Sequence, residues 1–406
     1  MIFMKLNKIN EFINNSIIVL GNDVNSFLTS YSLKIRYPNK EIHHLIIKDS
    51  KSESLINSVF LDNNWVKKFK FRDTLFTKSE YQIKNFYDIN NESYDNKINC
   101  YKENTINFIK ILKDKCIEIG VKIDEGFIRD YQHIVGMDTD PDYNNLFNDY
   151  SFISLKFDNL KETKNIHAGF FIDCLGDKSF FFDDDYFDRN THTANAINLN
   201  VKYNHYDKLL PNDMMLSATY KNKDNKTGSV CEARPEGILY RYYDKDIVYL
   251  RYYFAESYAT KHIVTDLLKK EFDLEDIKIH RNINCQREYS NYVNVFALGR
   301  TIGNFENVIC DDSLITQRIL VDFVEVFKHR QIGVFSKKQL NEYIKDVFDE
   351  YANLTSLHYA LTTRDDSRYW QDRLNQNYKI DFKKLKNVSL RETIRYFQRW
   401  VTILKI

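Results

Sequence analysis

The apolar and polar positions near the start of the chain alternate between strand and helix patterns. Residues 17–20 form an unbroken apolar run that ends at Gly21, which predicts a short buried strand followed by a helix to about Arg36. Glu41–Ile47 predicts a second strand, and residues 105–120 carry apolar side chains at helical spacing. Strands that alternate with helices in this way are typical of a parallel α/β sheet.

The pattern of apolar positions changes after the second predicted strand. Residues 52–99 are charged and aromatic without a sustained period, which indicates helices and loops. Residues 151–157 and 167–176 predict two further strands. Strict alternation over residues 196–201 predicts a strand with one buried face. The second half of the chain is therefore expected to begin with sheet.

An aromatic hairpin and a helical region complete the pattern. Gly237–Tyr243 and Ile247–Phe254 flank a polar turn and predict two paired strands, which form either a pocket wall for a flat substrate or ordinary sheet surface. From Asp312 onward the spacing is largely helical. Ser336 and Gln339 match a capping box, which predicts that a helix begins there.

Composition and charge exclude several classes of protein. Lys and Arg number 58 against 57 acidic residues, so no overall field favours nucleic acid or an anionic membrane. The 6 cysteines form no Cys-x-x-Cys pair, which argues against a zinc site and a disulfide framework. Residues 183–185 are acidic but are expected to form a solvated loop, so no metal is predicted. Without a signal peptide or an apolar run long enough for a membrane, we expect a soluble cytoplasmic protein.

The turn after the first strand is a candidate nucleotide site. In a dinucleotide-binding unit, a Gly-x-Gly-x-x-Gly turn brings backbone N–H groups and a helix N-terminus close to a pyrophosphate. Here Gly21 is present, while Asp23 and Ser26 stand at the second and third glycine positions. Asp49 follows the second strand, where an acidic side chain either accepts hydrogen bonds from a ribose or simply ends the strand in a turn.

Four stretches of the chain resemble those of one enzyme family, in the same order. They are the turn at Gly21 with Asp49, residues 171–176, residues 294–305 with 311–315, and residues 357–370. The chain thereby resembles the flavin-dependent halogenases, in particular the tryptophan halogenase family, over nearly its whole length. The last stretch, Leu-His-Tyr-Ala-Leu-Thr-Thr-Arg-Asp-Asp-Ser-Arg-Tyr-Trp, is the most specific because such a run of unlike residues is rarely met by chance.

The resemblance implies a fold and a division of the chain. The expected class is α/β, with a Rossmann-like FAD-binding domain of the monooxygenase type, a β-sheet substrate region and C-terminal helices. Residues 1–195 and 285–330 are assigned to the FAD-binding domain. Residues 196–284 are assigned to the substrate region, and residues 331–406 to the helices.

The resemblance also implies a reaction and its residues. In the family, reduced FAD and oxygen oxidise a halide, a lysine directs the oxidant to an aromatic substrate, and a carboxylate stabilises the cationic intermediate. A separate flavin reductase is implied as a partner. Lys84 and Asp311 are the expected catalytic pair, and Ser313 and Leu314 are expected at the halide. The expected FAD-binding residues are Gly21, Asp23, Ser26, Asp49, Asp173, Gly176, Gly299 and Gly303.

Departures from the family pattern leave alternatives open. The family's Trp-x-Trp-x-Ile-Pro signature is absent, and Gly237–Tyr243 occupies its place, so a flavin monooxygenase is one alternative. A carboxylate at Asp23 repels a pyrophosphate, so a non-catalytic binding module is the other. Several candidates also have structural interpretations: Asp311 as a helix cap, and residues 364–366 as paired charges that fix the helices.

Overall fold

The computed structural model describes residues 16–48, 58–71, 77–84, 96–136, 150–159, 162–176, 179, 202–292, 294–306, 312–328, 334–360 and 362–376. The strands are β1 (Ser16–Leu20), β2 (Glu41–Ile47), β3 (Ser58–Phe60), β4 (Thr77–Lys84), β5 (Asn96–Asn104), β6 (Lys122–Gly136), β7 (Tyr150–Asn159), β8 (Glu162–His167), β9 (Phe170–Asp173), β10 (Tyr203–His205), β11 (Met214–Lys221), β12 (Gly228–Arg234), β13 (Gly237–Tyr243), β14 (Ile247–Phe254), β15 (Glu275–Arg281), β16 (Cys285–Arg287), β17 (Asn291–Tyr292), β18 (Val295–Ala297) and β19 (Gly303–Asn304). The helices are α1 (Val24–Arg36), α2 (Asn63–Lys68), α3 (Thr105–Glu118), α4 (Lys261–Glu271), α5 (Asp312–Phe323), α6 (Val334–Ala360) and α7 (Arg368–Asn375), with short 3-10 helices at Gly299–Thr301 and Val324–Lys328.

The first sheet is built around β1. Its order is β17-β18-β9-β1-β2-β6-β7-β8, and the five strands from β18 to β6 run parallel. β1 is buried along its whole length because elements cover both faces of the sheet, which explains its unbroken apolar sequence. The predicted strands β1 and β2, the helix α1 and the α/β class are confirmed.

Three parallel strands of this sheet end in the same row. Leu20 of β1 pairs with Asp173 of β9, and Asp173 pairs with Ala297 of β18. The backbone amide of Cys174 donates to Leu20 at 2.9 Å, and that of Leu298 donates to Asp173 at 2.9 Å. The loops that follow the three strands therefore lie side by side, at the carboxyl edge where open α/β sheets bind ligands.

The second sheet is mostly antiparallel, with the order β15-β11-β14-β13-β12-β4-β5-β3. The aromatic hairpin predicted from the sequence is confirmed as β13 and β14. Residues 52–99 contain the helix α2, as predicted, but the prediction of helices and loops is wrong where β3, β4 and the first four residues of β5 lie. β4 pairs in parallel with β12, which is distant in the sequence. The strand is therefore stabilised by long-range pairing, and the local sequence shows no apolar–polar alternation that would predict it. Helix α4 covers one face of the sheet.

Helix α5 contacts α6, and α6 contacts α7. Helix α5 also contacts α1 and the turn Gly299–Thr301. Helix α6 begins at Val334, two residues before Ser336, so the predicted cap at Ser336 is wrong. The predicted strand at residues 196–201 and the acidic run at residues 183–185 lie outside the described residues, and the domain division stays a prediction. Across the ranges given above, no helix has the length and apolar character needed to span a bilayer.

Candidate functional site

The turn after β1 keeps a backbone shape that requires glycine. Gly21 has a φ of +155°, and a Cβ added there would lie 2.6 Å from the Cβ of Ser26 and 3.3 Å from that of Cys174. Any side chain at Gly21 would therefore collide with α1 and with the loop after β9. Ser26 occupies the third glycine position of the nucleotide pattern, and the absence of a side chain at Gly21 makes room for it.

The N-terminus of α1 is capped by the chain's own carboxylate. The Ser26 amide donates to Oδ1 of Asp23 at 2.9 Å, and the Ser26 hydroxyl oxygen accepts from the Asp23 amide at 3.1 Å. The Asn25 amide group donates to Oδ2 of Asp23 at 3.1 Å. Burial raises the pKa of Asp23, and the bonds from Ser26 and Asn25 and the attraction of Arg300 lower it in part. Asp23 thus binds where a helix favours an anion.

The loop after β18 closes the other side of this turn. Gly299 has a φ of +62°, and an added Cβ would lie 2.9 Å from the Cβ of Asn25. Asn25 is fully buried, and its Oδ1 atom has no hydrogen-bond donor within the described chain. A buried acceptor without a donor is costly, and a sugar hydroxyl of a bound nucleotide would satisfy it.

Asp173 binds several of the described residues that follow β9. Its carboxylate accepts from the Leu175 amide at 2.8 Å, from the Ser179 hydroxyl at 2.6 Å and from the Thr301 hydroxyl at 3.3 Å. The Thr301 hydroxyl also accepts from the Gly176 amide at 2.7 Å, which joins this loop to the one after β18. Burial raises the pKa of Asp173 to about 6, against these three bonds. Asp173 therefore holds two of the loops together.

A buried histidine, which was not predicted from the sequence, supports the turn at Gly21. His44 of β2 is fully buried, with Nε2 3.1 Å from the Gly21 carbonyl oxygen and Nδ1 2.8 Å from the Ser30 hydroxyl. These partners assign a neutral ring whose Nε2–H donates to Gly21. Burial lowers the pKa of His44 to about 3, so the ring stays neutral. In the sequence, the feature that could have identified His44 is a polar residue at an inward-facing position of an otherwise apolar strand.

A second buried acid was also missed. Glu306 follows β19 and accepts from the Tyr359 hydroxyl at 2.7 Å, and its own amide donates to Asn284 at 2.8 Å. Asn212 donates to the Tyr359 hydroxyl at 2.8 Å and accepts from Tyr369 at 3.0 Å. Burial raises the pKa of Glu306 to about 7. This network connects the loop beyond β19 to the stretch 357–370 that gave the most specific resemblance.

The stretch 357–370 itself anchors the C-terminal helices on the second sheet. Arg364 pairs with Asp366 and donates to the Ala233 carbonyl at 2.7 Å. Trp370 donates from its indole to the Arg234 carbonyl at 2.7 Å and is fully buried. The structural interpretation of residues 364–366 as paired charges is therefore supported for Arg364 and Asp366.

The remaining predicted residues are dispersed or lie outside the described part of the chain. Gly303 pairs in β19, and an added Cβ would lie 2.6 Å from the Cys285 carbonyl oxygen, so it serves packing. Ser313 is buried and Leu314 is half-buried in the first turn of α5. Lys84 ends β4 opposite Glu232 of β12, where only its backbone is described. Asp49 and Asp311 lie outside the described residues, so their roles stay predictions.

The described residues at the strand ends fit FAD, with one conflict. The three loops converge in one row, α1 points its N-terminus into them, and Asn25 offers a buried acceptor without a donor. The conflict is Asp23, whose carboxylate holds the position of a pyrophosphate. The ranges that the structure describes contain no group of three or more His, Cys, Asp and Glu side chains that could hold a metal ion.

Comparisons with known proteins agree with this geometry. The family model described as tryptophan halogenase matches residues 56–399. A thermophilic tryptophan halogenase from Streptomycin violaceusniger is similar in structure, with a TM-score of 0.70 and 14% identity, over 90% of this chain and 84% of that one. The flavin-dependent halogenase BrvH from Brevundimonas sp. BAL3 gives a TM-score of 0.69 and 12% identity, over 93% and 84%.

A third similar structure is also that of a flavin-dependent halogenase. The flavin-dependent halogenase Xcc4156 from Xanthomonas campestris gives a TM-score of 0.68 and 13% identity, over 90% of this chain and 81% of that one. No curated protein matches the chain in sequence. At these identities the structures establish the fold, and the family match supports the halogenase hypothesis. The comparisons do not favour the non-catalytic or the monooxygenase alternative.

Proposed function

Because the chain belongs to the tryptophan halogenase family, we propose that it is a flavin-dependent halogenase that acts on an aromatic substrate with FAD, oxygen and a halide. The observation that carries this proposal is the shared row of Leu20, Asp173 and Ala297, which places the predicted loops of the cofactor site side by side. A flavin reductase is the implied source of reducing equivalents.

The chain's own residues would hold the cofactor through backbone and loop geometry. The turn at Gly21 and the N-terminus of α1 would face the pyrophosphate of a bound cofactor, and His44 holds the Gly21 carbonyl in place. Asp173 fixes the loops that carry Gly176 and Thr301. When bound, reduced FAD supplies, with oxygen, the oxidising power that turns halide into an electrophile.

Four further residues are assigned to halide and substrate chemistry. Ser313 and Leu314 open α5, which packs against the turn Gly299–Thr301, so the proposed halide position borders the cofactor loops. A halide near the first turn of a helix is stabilised by the amide groups there. Lys84 would orient the oxidant toward the aromatic ring, and Asp311 would stabilise the cationic ring intermediate.

Flavin binding is the first test of this proposal. The purified chain is equilibrated with excess FAD, and the visible spectrum of the retained flavin is recorded together with a thermal shift. Retained flavin and a raised melting temperature are expected. Absence of both at saturating FAD would exclude the flavin enzyme.

Replacement of Asp23 by asparagine should tighten FAD binding by about tenfold or more. The neutral amide keeps an oxygen for the Ser26 N–H but removes the charge that repels the pyrophosphate, an effect of several kcal/mol at close range. The dissociation constant is measured by quenching of flavin fluorescence. Asp62→Asn is the matched control, because Asp62 caps α2 in the same way, with its Oδ1 2.8 Å from the Trp65 amide. Weaker FAD binding by Asp23→Asn would show that the carboxylate supports the cofactor.

Replacement of Lys84 by alanine should abolish halogenation and leave flavin oxidation intact. The lysine is proposed to act after halide oxidation, so oxygen consumption with reduced FAD should not change. Product is measured by mass spectrometry, and oxygen uptake is followed in the same reactions. Lys78→Ala, on the same strand, is expected to keep the product yield. Unchanged product in Lys84→Ala would remove Lys84 from the site.

A further inference from the structure

Both backbone groups of Gly21 are bound by the neighbouring strand β2. The Gly21 amide donates to the Leu45 carbonyl oxygen at 3.1 Å. The Gly21 carbonyl oxygen lies 3.1 Å from Nε2 of His44. Because a carbonyl oxygen can only accept, Nε2 carries the hydrogen, and Nδ1 accepts from the Ser30 hydroxyl at 2.8 Å. The orientation of the peptide bond between Gly21 and Asn22 is therefore set by β2.

The His44 ring is itself held in one place. His44 is fully buried, and its backbone pairs with Val19 of β1 and Ile123 of β6. Its ring stacks on Phe27 of α1, with centroids 4.2 Å apart and an interplanar angle of 22°. Phe27 and Ser30 are three residues apart, so they lie on one face of α1. A single ring thus fixes the turn and the first half of the helix relative to each other.

The Gly21 carbonyl determines where the next amide points. In a trans peptide, the C=O group and the following N–H group point in opposite directions, so the Asn22 N–H points away from His44. Asn22 is exposed, and within the described part of the chain its amide has no acceptor. The amides of Asp23 and Ser26, by contrast, donate to each other's side chains. The Asn22 amide is therefore a donor that the turn itself leaves available.

We propose that His44 is a positioning residue for the cofactor: it holds the Gly21 carbonyl so that the Asn22 amide donates to the diphosphate of FAD. This inference rests on the proposed function, which places FAD at this turn. Asp23 occupies the Ser26 amide, so Asn22 supplies a backbone donor that the carboxylate does not block. Hydrogen bonds from an amide to a charged phosphate oxygen are stronger than those between neutral groups. His44 is buried and acts on the ligand only through the peptide bond that it orients.

Two substitutions separate the two hydrogen bonds of His44. His44→Gln places an amide N–H near the position of Nε2, so it keeps the donor to Gly21 and loses the acceptor for Ser30. His44→Asn places an amide oxygen near the position of Nδ1, so it keeps that acceptor and loses the donor to Gly21. Each variant lacks one buried hydrogen bond, so the melting temperature should fall in both. Only His44→Asn should bind FAD more weakly, with a dissociation constant raised about tenfold, as measured by quenching of flavin fluorescence.

A control variant and a measurement without ligand complete the test. The Ser32 hydroxyl donates to the Leu28 carbonyl at 2.7 Å and accepts from the Trp65 indole at 2.9 Å, so it joins α1 to α2. Ser32→Ala should therefore lower stability and keep the affinity for FAD. In the wild type without FAD, nitrogen-15 NMR of the His44 ring at neutral pH should show a hydrogen on Nε2 and none on Nδ1. The reverse tautomer would overturn the inference, because Nε2 could not donate to Gly21.

ADP, which carries a diphosphate without a flavin, separates this inference from the proposed function. If the wild type binds ADP and His44→Asn binds it more weakly, although no FAD is retained, the role of His44 stands and the proposed function fails. If the wild type retains FAD and both His44 variants match its affinity, the inference is overturned and the proposed function stands. Equal weakening in His44→Gln and His44→Asn would also overturn it, because His44 would then act through stability alone. Binding of neither ligand by the wild type would overturn both.

Discussion

Replacement of Trp370 by alanine is expected to lower the free energy of unfolding by about 3–5 kcal/mol, the usual cost of truncating a fully buried aromatic side chain. The ring of Trp370 packs edge-on against Tyr369 at 5.0 Å between centroids and stacks with Tyr359 at 6.1 Å. The Arg364 guanidinium lies 5.7 Å from its ring centroid. Truncation leaves a cavity between α7 and the second sheet, and it leaves the Arg234 carbonyl without its indole donor.

Urea denaturation of the two proteins measures this difference. Tyr289→Ala is the control, because Tyr289 is 56% exposed and its truncation should change stability by only about 0.5 kcal/mol or less. A loss of about 1 kcal/mol or less in Trp370→Ala would mean that the stretch 357–370 does not anchor the C-terminal helices on the sheet.

Replacement of Glu306 by glutamine should change the pH dependence of stability. Burial raises the pKa of Glu306 to about 7 in the folded chain, against an ordinary value of 4.5. The folded state therefore holds the proton more tightly than the unfolded state. The resulting stability is fully present below pH 4.5 and is lost as the pH rises to about 7, an amount on the order of 3 kcal/mol.

The glutamine variant has no proton to lose at this position. The unfolding free energy of Glu306→Gln minus that of the wild type should therefore rise between pH 4.5 and about 7 and stay constant above. Taking the difference removes other titrating groups, such as His44, which oppose this trend. If the difference in unfolding free energy between Glu306→Gln and the wild type did not change with pH, burial would not raise the pKa of the Glu306 carboxyl.

Local patterns in the sequence were sufficient for the elements that bury a continuous or alternating apolar face. The first strand, the helix after Gly21 and the hairpin of β13 and β14 follow from such patterns. The strands between residues 58 and 104 do not, because β4 is stabilised by pairing with β12, far away in the sequence. Parallel pairing of this kind leaves no short-range signal.

The same distinction applies to the candidate site. Gly21, Asp173 and Gly299 were predicted from motifs at strand ends, and the structure brings their loops together. His44 and Glu306 were missed because a polar residue becomes significant only when tertiary packing buries it.

We propose that this chain halogenates an aromatic ring with FAD bound at the ends of β1, β9 and β18. The most direct measurement is the mass of the product formed from an aromatic substrate such as tryptophan, with FAD, a flavin reductase, oxygen and bromide. We expect a product that carries the isotope doublet of one bromine and is absent when bromide is omitted. A product that gains oxygen instead, or no product although FAD is bound, would contradict it.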